Sequence, residues 1–221
     1  VTSIHSLCGM VDPDHPLHRF APFEAPHHSA TAPSIVGGGS GIVRPGAASR
    51  AHRGVLFLDE APEFAQRVLD QLRQPLEAGT ITIHRSIGAF TFPARFQLVM
   101  AANPCPCASA GGAAACVCSS IVRRRYLGRL SGPLLDRIDL AIELAPPTRS
   151  QLLNHAAVEE TSAVVAARVR EARERAQYRW DGRLNGEVSG KFMQARWQPS
   201  GTSLQLVERA YDVGAISGRG Y

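Results

Sequence analysis

At 221 residues, 44% hydrophobic and 19% charged, the chain holds enough apolar side chain for one α/β domain and a smaller appendage. It contains no apolar run of the roughly 18 residues that a membrane-spanning helix needs, which excludes that class. The net charge of +5 rests on arginine, with Lys191 the single lysine; this suits a phosphate-bearing partner as well as it suits a plain basic surface.

The opening Val1-Thr2-Ser3-Ile4-His5 has neither an initiator Met nor a charged-then-apolar signal, so the chain is read as starting inside a domain. Five cysteines without a secretory signal argue against a disulfide framework. They point to a cytoplasmic protein whose thiols bind metal or are merely buried. Residues 13–50 are rich in Pro, Gly, His and Ser and read mostly as loop, with the run Val36-Gly37-Gly38-Gly39-Ser40-Gly41 inside it. His27 and His28 are adjacent there and are read as loop packing rather than metal ligands.

Gly54-Val55-Leu56-Phe57-Leu58 is an apolar run too short for a helix and reads as a buried parallel strand. Pro62 to Ala78 carries Phe64, Val68, Leu69, Leu72 and Leu76 at helical spacing, with Gly79 placed to end the helix. Ile81–Ile83 and Phe90–Phe92 flank Ser86-Ile87-Gly88-Ala89 and predict a hairpin. Phe96 to Ala102 is expected to be a second buried strand and Leu140 to Leu144 a third, stopped by Pro146-Pro147. A long helix is expected from about Ser150 to Tyr178, with Val165, Val169, Ala172 and Ala176 facing inward. Its Arg170–Glu174 and Glu171–Arg175 pairs sit at i,i+4 on the outside. The domain boundary falls at the prolines, giving an α/β domain over 1–147 and a helical one over 148–221.

Three patterns carry chemistry. Asp59-Glu60 follows an apolar strand at the carboxyl edge, where open α/β sheets bind ligands. In a nucleotide site the first acid holds Mg²⁺ and the second activates or orients water; the plainer reading is a solvated acidic turn. Asn103-Pro104 closes the next strand, and one amide there can hydrogen-bond both a water and a phosphate oxygen; the plainer reading is an Asx-Pro turn. Leu134-Leu135-Asp136-Arg137 precedes the third expected strand, so Arg137 either reaches across a subunit boundary to phosphate or pairs locally with Asp136 or Asp139.

Cys105-Pro106-Cys107 and Cys116-Val117-Cys118 place four thiols around a small-residue loop. They either close a tetrahedral Zn²⁺ site or remain reduced in a loop. Cys8 stands apart and reads as a buried hydrophobe.

Taken together, these patterns resemble AAA+ ATPases of the magnesium-chelatase-like family, in its ComM-like subgroup. The resemblance is carried by Ala25-Pro26-His27-His28-Ser29-Ala30, Ala51-His52-Arg53-Gly54-Val55-Leu56-Phe57-Leu58-Asp59-Glu60, Asn103-Pro104-Cys105-Pro106-Cys107 and Arg129-Leu130-Ser131-Gly132-Pro133-Leu134-Leu135-Asp136-Arg137. It implies a partial AAA+ P-loop NTPase fold with a parallel sheet, followed by a small helical lid domain. It makes Asp59 and Glu60 the Walker B pair that serves ATP and Mg²⁺, and Asn103 sensor 1. It likewise makes Arg137 the arginine finger and Arg219 sensor 2. The hairpin would line the pore of a hexameric ring of self-assembled subunits acting on DNA, as in branch migration during natural transformation. No G-x-x-x-x-G-K-[ST] occurs in the sequence, and the resemblance places that loop upstream of Val1. Residues 185–205 depart from the family, and Gly218 stands where Ala is usual. The 221 residues are therefore expected to be inactive alone. Two other readings stay open: a subunit driving metal insertion into a porphyrin, and a zinc-stapled nucleic-acid binding module footed on Arg123-Arg124-Arg125-Tyr126.

Overall fold

The computed structural model describes residues 1–39, 41–107, 116–145, 147, 149, 160–196 and 200–216. The chain forms two compact units, Val1–Pro146 and Pro147–Tyr221.

In the first unit, helix α1 (Thr2–Leu7) precedes strand β1 (Phe23–Glu24), and α2 (Ala32–Val36) leads into a small antiparallel ribbon of β2 (Gly37–Gly38) and β3 (Arg44–Pro45). Then come α3 (Ala47–Arg50) and β4 (Val55–Leu58). A single 3₁₀ turn, Ala61–Glu63, is followed by α4 (Gln66–Gln71), α5 (Arg73–Ala78) and the hairpin β5 (Thr80–Arg85) and β6 (Gly88–Pro93). After β7 (Gln97–Met100) come α6 (Ser120–Leu127) and α7 (Gly132–Leu135).

The sheet that positions the site has the order β1-β4-β7, all parallel, with Phe23 opposite Val55 and Leu58 opposite Met100. Leu56 and Leu58 are fully buried, and around them pack Ile35, Phe64, Val68, Leu69, Leu72 and Leu134. Gly54 lets the sheet close. A Cβ there would stand 1.9 Å from the Pro22 carbonyl oxygen, the same atom that accepts the Val55 N–H at 2.8 Å.

The mixed α/β architecture with a parallel sheet agrees with the sequence, and so does the hairpin, which turns through Ser86-Ile87. Four local expectations need correction. The helix expected over Pro62–Ala78 is broken into the 3₁₀ turn, α4 and α5. Pro75 has no N–H to give the Gln71 carbonyl, so the helix cannot run straight through. The strand β7 is buried on one side only, Val99 being 38% exposed. Leu140 to Leu144 is no strand: Leu140, Ile142 and Leu144 are all more than three-quarters exposed. An apolar run becomes a strand only where a neighbour takes up its backbone hydrogen bonds, and among the described residues none pairs with it.

The second unit holds α8 (Ser162–Arg179), α9 (Gly190–Arg196) and α10 (Gly201–Asp212). The fourth correction falls on α8. Of its expected inward stripe only Ala176 is buried, while Val165 and Val169 remain 36% and 45% exposed. The pair Glu171–Arg175 is made. Among the described residues, no helix is long and apolar enough to cross a membrane.

Candidate functional site

Asp59 and Glu60 leave β4 at its carboxyl end, beside the exit of β7 that carries Asn103. The two exits are tied by backbone bonds. Ala101 N–H donates to the Leu58 carbonyl and Ala61 N–H to the Ala101 carbonyl, both at 2.9 Å. The acids and the amide predicted from sequence therefore share one edge, with both acids exposed and Asn103 half-buried.

Glu60 adopts a left-handed backbone, φ 50° and ψ 42°. This conformation is costly for a residue with a Cβ and is kept where surroundings fix it. Two bonds do so here. Asp59 Oδ1 accepts the Glu60 N–H at 2.9 Å, and His28 Nδ1 lies 3.1 Å from Glu60 Oε2. His28 thus does more than pack the loop. It stands on the segment that follows β1, sits edge-on to Phe64, and contacts the acid directly. Its adjacency to His27 drew attention in the sequence, but nothing local announces a partner 32 positions away.

Arg129 is a second residue that the sequence reading missed. Its Nη1 donates to the Pro62 carbonyl at 3.1 Å and to Glu63 Oε2 at 2.9 Å, fastening the turn that follows Glu60. Tyr126 is buried beside it, with the Arg129 guanidinium 5.9 Å from its ring centre. Burial, helped by the charges of Glu63 and Glu60, pushes the Tyr126 phenol up from its ordinary pKa.

Arg137 is bonded within its own unit. It donates to the Glu77 carboxylate and to the Pro133 carbonyl, and its side chain is only 12% exposed. It borders a cavity of about 560 Å³ with Arg73, Glu77 and Ile83. Arg219 lies outside the described residues.

Cys105, Cys107, Cys116 and Cys118 converge, their sulfurs all lying within 4.8 Å of one another. Cys105 and Cys107 are 3.0 Å apart, Cys105 and Cys116 3.2 Å, and Cys107 and Cys116 3.6 Å. A tetrahedral Zn²⁺ with Zn–S bonds of about 2.3 Å spaces its sulfurs by about 3.8 Å, so the cluster fits that ion with little movement. The hard oxygens of Asp59 and Glu60 suit Mg²⁺ instead.

Residues 1–152 match the magnesium chelatase subunit ChlI family, and residues 159–221 match the ChlI C-terminal family. The whole chain is 49% identical to an uncharacterized protein of Mycobacterium tuberculosis, covering 44% of it. It is 44% identical over 200 residues to competence protein ComM of Haemophilus influenzae, which is 90% of this chain and 39% of that protein. The magnesium-chelatase 38 kDa subunit of Acidiphilium rubrum is 30% identical over 104 residues, 47% of this chain and 24% of that one. The chain spans less than half the length of these relatives.

Proposed function

The chain belongs to the magnesium chelatase ChlI family and is ComM-like, and from that premise we propose that it is part of an AAA+ ATPase motor that works on DNA. The observation that carries this is the shared edge: Asp59 and Glu60 at the end of β4, Asn103 at the end of β7, locked in register by the Ala101 and Ala61 bonds.

Asp59 would hold Mg²⁺ at that edge, and the ion would supply the positive charge that a triphosphate needs. Glu60 takes or orients a proton of the attacking water, and Asn103, arriving from the neighbouring strand, positions that water against the terminal phosphate. Arg137 serves as the finger toward a neighbouring subunit, and Arg219 takes the sensor-2 role by likeness to the family alone. Subunits assemble as a hexameric ring. The four cysteines would hold a structural Zn²⁺; a four-thiolate site leaves no open position and would supply shape rather than chemistry.

A chelatase-type ATPase that drives metal insertion is the second reading, supported by the 30% likeness to the Acidiphilium rubrum subunit. The nearer likeness to competence protein ComM, 44% over 200 residues, favours DNA. The test is ATP turnover by the full-length protein with and without DNA. DNA-stimulated hydrolysis that disappears in Glu60→Gln supports the proposal. Turnover indifferent to DNA, or intact in Glu60→Gln, overturns it.

A further inference from the structure

The second unit carries a feature that the nucleotide site does not use. The chain reverses after α8 through Asp181 (φ 52°) and Gly182 (φ 83°), so that α9 brings Phe192 back beside Trp180, ring centres 6.4 Å apart. Trp180 is 8% exposed and donates its indole N–H to Asn185 Oδ1 at 2.8 Å.

Three guanidiniums cover this two-ring base. Arg183 and Arg196 lie 4.6 Å and 5.0 Å from the Phe192 centre, and Arg179 lies 5.8 Å from the Trp180 centre. All three are exposed residues. Asp181 pairs with Arg196 at 2.6 Å, whereas among the described residues no carboxylate pairs with Arg179 or Arg183. The arrangement gathers three guanidiniums where Asp181 pairs with one and Glu187 bonds the Leu184 N–H, which leaves an excess of positive charge that attracts an anion. A guanidinium laid on an aromatic face is held in orientation by that face while its N–H edge stays open to phosphate oxygens.

We infer that Arg179, Arg183 and Arg196, braced on Trp180 and Phe192, form a contact surface for the phosphate backbone of DNA. The surface rests on the DNA reading for its ligand and not on the nucleotide site. It lies within residues 159–221, which match the magnesium chelatase ChlI C-terminal family in place of the departure expected over 185–205.

The test uses full-length protein and fluorescein-labelled single- and double-stranded oligonucleotides, with affinity followed by anisotropy across a salt series. The double variant Arg179→Gln/Arg183→Gln removes two cations. The slope of log K against log salt is expected to shallow by about 1.4 on single strands and 1.8 on duplex, following roughly 0.7 and 0.9 per phosphate contact. Arg183→Lys keeps the charge and is expected to keep the slope. Binding of a fluorescent ATP analogue, followed in the same variants, is expected to stay unchanged, which keeps this outcome separate from the nucleotide reading. A slope unmoved in the double variant overturns the inference. So does a slope that shallows equally in Arg183→Lys, because lost packing and not lost charge would then be responsible. A wild-type protein that hydrolyses ATP but binds neither oligonucleotide also overturns it and leaves the ATPase reading standing.

Discussion

His28 Nδ1 lies 3.1 Å from Glu60 Oε2, and the two residues come from the exits of neighbouring parallel strands. Because β4 is central, this bond draws the Glu60 carboxylate toward the β1 side, whereas Asn103 stands on the β7 side. Hydrolysis as proposed needs Glu60 to share a water with Asn103.

His28→Ala is therefore expected to raise turnover without DNA, while leaving ATP affinity alone. Both side chains are substantially exposed, so the pair contributes no more than about 1 kcal/mol, and the rise is limited to about fivefold. Glu60→Gln is expected to lower turnover by about 10²- to 10⁴-fold. Steady-state kinetics of the full-length protein measures both. A loss of turnover in His28→Ala would mean that the ring supports the active position of the acid.

Arg137 is held inside its own unit by Glu77 and Pro133. To act on a neighbour it must leave Glu77. Arg137→Ala is expected to spare ATP binding and assembly and to lower turnover by about 10³-fold, as for other arginine fingers. Glu60→Gln fails within its own subunit, so mixing the two variants is expected to restore some hydrolysis at interfaces that join an intact Glu60 to an intact Arg137. No recovery in co-assembled mixtures would leave Arg137 as a structural partner of Glu77.

The elements legible in the sequence were those whose signal is local. Leu56 and Leu58 announce a buried strand, and Phe64, Val68, Leu69 and Leu72 mark one apolar face, whose residues are indeed buried. The acidic pair was visible because it sits directly after such a strand. What failed depended on distant partners. Leu140 to Leu144 has strand composition, yet composition cannot say whether a neighbouring strand is there to pair with it. Arg137 bonds Glu77, 60 positions away, a partner that no local pattern announces. His28 was read as loop packing alone and Arg129 was given no role for the same reason, since Glu60 and Glu63 become their neighbours only after the sheet has formed.

The four-cysteine cluster predicts a metal content. Protein purified without chelator is expected to hold about one equivalent of zinc, the stoichiometry of a closed four-thiolate site. Cys105→Ser with Cys116→Ser is expected to abolish it. Elemental analysis by mass spectrometry decides. Metal-free protein whose folding is unaffected by added zinc would show four reduced thiols packed together without an ion.

Two glycines separate crowding from backbone preference. Gly79 ends α5 with φ +68°, a conformation that costs a residue with a Cβ about 1–2 kcal/mol. The Cβ of Gly79→Ala would meet Arg95 Cγ at 2.6 Å, and that long side chain can swing aside. Gly54 carries no such backbone penalty, yet its Cβ would fall 1.9 Å from the Pro22 carbonyl oxygen and 2.7 Å from the Pro22 nitrogen, both main-chain atoms in a parallel pair. Relief requires β1 to separate from β4, which removes the Val55–Pro22 bond and unseats the strand that presents Asp59 and Glu60. Gly54→Ala is therefore expected to cost more than Gly79→Ala, at about 3 kcal/mol or above. Hydrogen exchange of the full-length variants, read by mass spectrometry, locates the damage. Peptides covering 53–58 are expected to lose protection in Gly54→Ala and to keep it in Gly79→Ala. Equal protection in the two variants would show that β1 can shift without loosening β4, and the close approach at Pro22 would then be an accommodation rather than a requirement.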